Sequence, residues 1–284
     1  MLQPDKLLIN VALTGMVPTK ADNPQVPLTP DEIADDVLRC YNAGASIFHI
    51  HARDENGQPD YHLEIYRNIL RAIRERTSAN LILCVTTSGR VFNTFEARSE
   101  VLNLEADLKP DMASLTLGSL NFPKQASINE PHMIQSLAQA MKQRGIVPEL
   151  EVFELGMIDY SHYLIRKQIL QPPFYYNLLL GSLGTLQATP LNLSMLVNAL
   201  PAGATWAATG IGRYQFFINS LAITMGGHVR VGLEDAIYMD SEQTDLATNV
   251  RLVERLVNVG RSIGREPATP AEARCIIGLP ANDQ

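Results

Sequence analysis

Two histidines one residue apart, His49 and His51, close an apolar run that begins at Ala45. Successive side chains of a strand point to opposite faces, so these imidazoles share one face while Phe48 and Ile50 share the other. Imidazoles placed in this way can both reach one divalent cation at about 2.0–2.1 Å. Polar groups at the end of a buried strand are costly unless something uses them, so the pair is either a chelate or two hydrogen-bonded core histidines. A second polar cluster lies far along the chain, in Gly227-His228-Val229-Arg230-Val231-Gly232-Leu233-Glu234-Asp235. His228, Arg230 and Glu234 have one parity, and Val229, Val231 and Leu233 the other. His49, His51 and Glu234 would leave a fourth coordination position open, the make-up of a catalytic zinc site, although the same trio can hold iron. Asp235, oriented by Arg230, is then a carboxylate free to act as a general base.

Other polar residues fall at the ends of apolar runs. Thr86-Thr87-Ser88-Gly89-Arg90 offers hydroxyls and backbone N–H groups suited to a carboxylate or phosphate, and reads equally as a turn. Ser114 and Thr116 share a face and are followed by Gly118-Ser119-Leu120-Asn121. Glu149 and Glu151 also share a face, which in a buried strand means either a structural ion pair or catalysis. Gly210-Ile211-Gly212-Arg213 leads into a helical pattern, as a tight turn or as a phosphate site at a helix N-terminus. Without a third glycine it is not a dinucleotide fingerprint.

The elements that must position these groups alternate strictly. Strands are expected at 7–13, 46–51, 81–87, 112–117, 148–153, 175–180, 204–209 and 227–233. Helices are expected at 30–43, 60–77, 94–105, 130–144, 157–170, 190–199, 213–225 and 243–264, the first with Thr29 as N-cap and Pro30 at N1. Eight strand–helix units predict an α/β fold, a (β/α)8 TIM barrel, with a doubly wound open sheet as the rival. The expectation is one domain over 1–284, with a short helix-bearing C-terminal extension from about 265. In such a barrel catalytic groups sit at the C-terminal strand ends, and alternate strands share an interior layer. Strands 2 and 8 are both even-numbered, so Glu234 can meet His49 and His51 near the axis.

Composition narrows the function. A chain of 284 residues that is 46% hydrophobic can bury a large core, and its formal charge of −7 argues against a nucleic-acid partner. No run of 18 apolar residues predicts a membrane span, and the first apolar run, broken by Asn10 without a basic cluster before it, reads as a strand rather than a signal peptide. Cys40, Cys84 and Cys275, three in number and in no CxxC spacing, fit a reducing cytoplasm.

The chain resembles the β-keto acid cleavage enzymes, the family of 3-keto-5-aminohexanoate cleavage. The matching segments are TG at 14–15, LTPDEIADD at 28–36, AGASIFHIHARDENGQP at 43–59, SLTLGSLNF at 114–122, PELEVFELG at 148–156, GIGR at 210–213 and GGHVRVGLED at 226–235. The resemblance implies a zinc-dependent barrel that is a homo-oligomer, expected as a tetramer, and that exchanges acyl groups between a β-keto acid and acetyl-CoA, giving acetoacetate and a new acyl-CoA. It implies His49, His51 and Glu234 as Zn2+ ligands, Asp235 as general base and Arg230 as its orienting partner. Thr86 stands where the family usually has a serine on the substrate carboxylate, with Ser88 and Gly89 in the same loop. Thr116 and Asn121 lie in another substrate-contacting segment, Glu151 maps to an active-site acid, and Gly210, Gly212 and Arg213 are candidates for a CoA phosphate. Two departures matter. The aminohexanoate-cleaving member has a glutamate in the first loop for the substrate's ammonium; Val17 stands there, so an uncharged β-keto acid is expected instead. Ser88 replaces part of a glycine-rich loop and narrows the carboxylate pocket. A metal-dependent lyase or aldolase acting without acetyl-CoA is the alternative. An amidohydrolase would need further histidines after strands 5 and 6, where Glu151 and Gly181 stand instead.

Overall fold

The computed structural model describes residues 6–281; residues 1–5 and 282–284 of the expected domain lie outside them. Eight parallel strands close into a barrel: β1 Ile9–Ala12, β2 Ile47–Ile50, β3 Ile82–Val85, β4 Met112–Thr116, β5 Val147–Val152, β6 Tyr175–Leu180, β7 Thr205–Gly210 and β8 His228–Val231. Neighbours in sequence are neighbours in the sheet, and β8 closes on β1 with Arg230 opposite Asn10. The open-sheet rival is thereby excluded.

Outside run α1 Pro30–Ala43, α2 Leu63–Arg76, α3 Phe95–Ser99, α4 Pro131–Arg144, α5 Leu155–Arg166, α6 Pro190–Ala199, α7 Gln215–Thr224 and α8 Asn249–Ser262. α1 begins as expected. The Thr29 side chain accepts from the Glu32 backbone N–H, Glu32 answers on the Thr29 N–H, and Pro30 sits at N1, where no intrahelical donor is missed. The expected 94–105 helix is shorter: α3 ends at Ser99, and 3-10 turns at Glu100–Asn103 and Ala106–Leu108 follow. The expected 213–225 helix begins as a 3-10 turn, Gly212–Tyr214, and the expected 243–264 helix starts only at Asn249.

One correction and one placement concern the ends of the chain. The first expected strand divides, because Lys6–Leu7 leaves the barrel to pair in parallel with Glu266–Pro267, and only Ile9–Ala12 joins the barrel. The C-terminal extension carries the expected short helix, and that helix packs on the barrel core. α9, Pro270–Ile277, capped by Thr269 with Glu272, brings Ala273 and Ile277 against Leu8, Ile47, Ile82, Met112, Tyr175 and Ala207. These are the lower-layer side chains of the lumen, and α9 covers them. The opposite end, at the C-terminal ends of the strands, is left for the polar residues. No helix among the described residues is long and apolar enough to cross a membrane.

Candidate metal centre and active site

His49 leaves β2 into the lumen, and His51 follows just past the strand end. Both are buried, and their Nε2 atoms are 3.1 Å apart. Glu234 comes from the loop after β8, with only β1 between β8 and β2, and places Oε1 3.2 Å from His51 Nε2 and Oε2 3.8 Å from His49 Nε2. Its approach depends on Gly15, in the loop after β1, with φ at +66°. A Cβ there would stand 2.5 Å from Glu234 Cγ. The Asn249 side chain holds the turn from below, accepting from Leu233 N–H and donating to Leu13 O and to Asp36.

These separations fit a shared cation: ligand atoms at tetrahedral corners, about 2.05 Å from a metal, lie roughly 3.3 Å apart. Glu234 Oε2 is buried and has no hydrogen-bond partner among the described residues, as expected of an atom whose partner is a metal ion. A second cluster, His49, Cys84 and Glu149, does not pass the same test. His49 Nδ1 and Glu149 Oε2 are 2.6 Å apart, which is a hydrogen bond and too close for two ligands of one ion.

Glu149 supports the first cluster. By accepting from His49 Nδ1 it places the imidazole proton there and leaves the Nε2 lone pair facing His51 and Glu234. Asn10 Nδ2, at 2.6 Å, and Cys84 Sγ, at 3.3 Å, also donate to it. Burial alone would raise its pKa, but the charges of His49 and Arg230 and the hydrogen bonds from His49 and Asn10 bring it down to about 2. Burial pushes the His49 pKa down, and Glu149 and Glu234 outweigh it, leaving it raised; His51, without a second carboxylate, stays lowered by burial.

Arg230 is the hub of the floor. Its Nε donates to Asp235 Oδ2 at 2.9 Å, Nη1 to Glu151 Oε1 at 3.0 Å, and Nη2 lies 2.9 Å from Glu234 Oε1. The sequence set it beside Asp235 and gave it the parity of Glu234; its tie to Glu151, 79 positions away, emerges only from closure of the barrel. Asp235 is held differently from its neighbour. Burial raises its carboxyl against the pull of Arg230, with Glu234 adding to the rise, and it settles at about 6, whereas Glu234 is drawn well below the usual carboxylate range by His51 and Arg230 despite burial.

Above this floor lies a cavity of about 360 Å3. Met16, Val17, Leu120, Phe122, Phe153, Leu179, Leu183 and Ile211 form its apolar wall. Thr86, Ser88, Thr116, Glu151, Arg230, Glu234, Asp235 and His51 supply its polar lining, together with Arg90. The Thr116 hydroxyl donates to Glu151 at 2.7 Å. Thr86 Oγ1 accepts from Ser88 N–H at 3.2 Å, so its own proton is free to donate.

Five residues expected to contact substrate or CoA are not among those that line this cavity. Asn121 is exposed; in the short hairpin of Leu120–Asn121 with Ala126–Ser127, Leu120 takes the inward place, and Phe122 lines the cavity beyond it. Gly89, between the lining residues Ser88 and Arg90, packs against the backbone at Ile128. Gly210 answers to packing: a Cβ there would stand 2.2 Å from Tyr214 O. The Gly212 N–H is spent on Asp235 O at 2.7 Å, and Arg213 is exposed beside an adjoining cleft with Lys124 and Tyr238.

Fold and floor together define a (β/α)8 barrel with two histidines and one carboxylate placed to hold a cation beside a buried aspartate. The family model "beta-keto acid cleavage enzyme" matches residues 6–279, and the chain belongs to that family. It is 39% identical over 276 residues to a "3-keto-5-aminohexanoate cleavage enzyme" of Fusobacterium nucleatum subsp. nucleatum, covering 97% of this chain and 98% of that protein. It is 34% identical over 277 residues to a "3-oxoadipate:acetyl-CoA acetyltransferase" of Cupriavidus necator, covering 96% and 95%. Among solved structures, the apo structure of ObcA superposes with a TM-score of 0.79 at 20% identity, covering 90% of this chain and 66% of ObcA, a likeness of fold. This chain thus spans about two thirds of the length of ObcA.

Proposed function

We propose that this enzyme exchanges acyl groups between an uncharged β-keto acid and acetyl-CoA, releasing acetoacetate and a new acyl-CoA. The observation that carries the reading is the convergence of His49, His51 and Glu234 beside Asp235 at the floor of an apolar-walled cavity. The three ligands suit Zn2+, which when bound would act as a Lewis acid toward the substrate's keto oxygen.

The remaining work belongs to the chain's own residues. Asp235, fixed by Arg230, takes the acidic proton from the carbon between the keto and carboxylate groups. With a pKa near 6 it is ionised at neutral pH yet basic enough to accept that proton. Arg230 keeps the aspartate aimed, while Glu151 and Glu234 hold Arg230 from the other side. The resulting carbanion attacks the acetyl thioester and expels CoA thiolate; the thiolate then attacks the original keto carbon, the C2–C3 bond breaks to give the new acyl-CoA, and Asp235 returns its proton to the departing acetoacetate carbanion. Seating two substrates side by side in one water-poor cavity supplies the alignment.

The tail preference follows from the wall. Val17 occupies the first loop, and the three carboxylates lining the cavity are all bound to Arg230, so an ammonium tail would be desolvated without a partner. The assembly is inferred to be a homo-oligomer, expected as a tetramer. α6 and α7 carry no charged residue, yet they leave Leu191, Met195, Phe216 and Phe217 exposed, a surface suited to a second copy. The free thiols of Cys40, Cys84 and Cys275 support a cytoplasmic setting.

The test is turnover of 3-oxohexanoate and of 3-keto-5-aminohexanoate, each with and without acetyl-CoA, following acetoacetate. Turnover should require acetyl-CoA, and kcat/KM should favour the uncharged acid by about tenfold or more, the scale of an unpaired buried charge. A preference for the amino compound would overturn the tail assignment. Cleavage without acetyl-CoA would make the enzyme a lyase.

A further inference from the structure

Arg90 lies in the loop after β3 and lines the cavity, but it takes no part in the network beneath it. Its guanidinium stacks on Phe122, Cζ 3.9 Å from the ring centroid, and Phe122 in turn meets Phe153 edge to face. Stacking leaves the edge of the guanidinium, which carries the N–H donors, free to point along the ring. Nε is buried without a hydrogen-bond partner, and Arg90 enters no ion pair among the described residues. A half-buried cation in that state is costly unless a ligand completes it. The other guanidinium of the cavity, Arg230, is committed to Asp235, Glu151 and Glu234.

From this contrast we propose that Arg90 is a specificity-determining residue that binds the carboxylate of the β-keto acid, by a charge-assisted fork alongside the hydroxyls of Thr86 and Ser88. The proposal rests on the β-keto acid reading above and deepens it. Arg90 is the one guanidinium of the lining left without a carboxylate, and every β-keto acid brings one carboxylate. The same pairing uses up the cation, so a second carboxylate on the tail would find no cation of the lining to pair with, as an ammonium would find no free carboxylate. Thr86 and Ser88 belong to the same loop: the Ser88 N–H donates to Thr86 Oγ1, and the Arg90 N–H donates to Ser88 Oγ at 3.3 Å. These bonds use backbone protons and leave both hydroxyl protons free to donate to an anion beside the guanidinium.

The experiment compares the wild-type enzyme with Arg90→Met, which keeps an apolar side chain on Phe122, and Arg90→Lys, which keeps the charge but loses the fork. Calorimetric titration with hexanoate, which has the carboxylate but no keto group, measures anion binding without turnover. Steady-state kinetics give KM separately for 3-oxohexanoate and acetyl-CoA. Arg90→Met should raise the hexanoate dissociation constant and the 3-oxohexanoate KM by about tenfold or more, with Arg90→Lys between it and the wild type and the acetyl-CoA KM changed less than about twofold. If Arg90→Met fails to fold, the intermediate affinity of Arg90→Lys still decides the matter. Unchanged hexanoate affinity overturns the proposal. So does a rise confined to the acetyl-CoA KM, which would place a CoA phosphate on Arg90, or a loss confined to a β-keto dicarboxylate, which would place the tail there. Arg90-dependent hexanoate binding by an enzyme that exchanges no acyl groups would uphold Arg90 and refute the function.

Discussion

His49 carries a proton on one nitrogen and a free lone pair on the other, and Glu149 decides which is which. Gln in place of Glu149 keeps the shape while removing the charge that holds the imidazole, and a supporting carboxylate of this kind typically contributes 10–100-fold in metal affinity. Glu149→Gln should therefore lower affinity for Zn2+ by about that factor, read by competition with a chromogenic chelator. An unchanged affinity would mean that Glu149 is only a hydrogen-bonded core residue. The same position marks the limit of what the sequence discloses. His49, His51, Glu234 and Asp235 were legible because parity and strand-end position are properties of local sequence. Glu149 could be read only as one of two carboxylates on a buried face. Its partner lies 100 positions away, brought close by closure of the barrel. Arg90 shows the complementary limit, because nothing in a turn of hydroxyl residues says whether its arginine will find a carboxylate.

β1 and β8 meet along a seam where one backbone donor leaves the usual ladder. Leu8 N–H donates to His228 Nδ1 at 3.1 Å, which requires that nitrogen to be unprotonated. Burial, with the nearby Arg265 charge adding to it, pushes the His228 pKa down to about 3. An unfolded chain would take up that proton near pH 6.5. Between those values the unfolded state binds more protons than the folded one, so stability falls as pH falls, by up to about 1.4 kcal/mol per unit, and above about pH 6.5 the group contributes no slope. His228→Asn, which retains an acceptor but does not titrate, should flatten the pH dependence of urea unfolding between pH 4 and 6 relative to the wild type. Equal slopes in the two proteins would show that the seam does not titrate. At this scale the sequence was informative about which elements exist and less so about their ends. The 7–13 run reads as one strand by hydrophobicity, but Lys6–Leu7 finds a different partner in Glu266–Pro267. The 94–105 pattern reads as one helix, but it gives way to 3-10 turns past Ser99. Hydrophobic periodicity reports which side of a segment is buried; it does not report where pairing partners run out.

The whole barrel has two unlike ends. The end near the strand N-termini is covered by α9, whose Ile277 is buried against the lower-layer side chains of the lumen. A short helix after the eighth unit reads from sequence as an appendage, because amphipathicity cannot say which surface a helix will cover. Ile277→Ala should cost about 2–4 kcal/mol in denaturant unfolding, the range for an emptied core position, with the KM values of the folded enzyme unchanged. A loss below about 0.5 kcal/mol would return the segment to the status of a loose tail.

That stopper has a consequence for traffic. With α9 across the other end, Asp235 is reached from the C-terminal ends of the strands, where the cavity and the adjoining cleft share Val17, Ile211, Glu234 and Asp235. A small keto acid can slip in first and leave room behind it, whereas a coenzyme-sized thioester seated early would bar the door. Acid should therefore bind ahead of thioester, an order that product-inhibition kinetics would read.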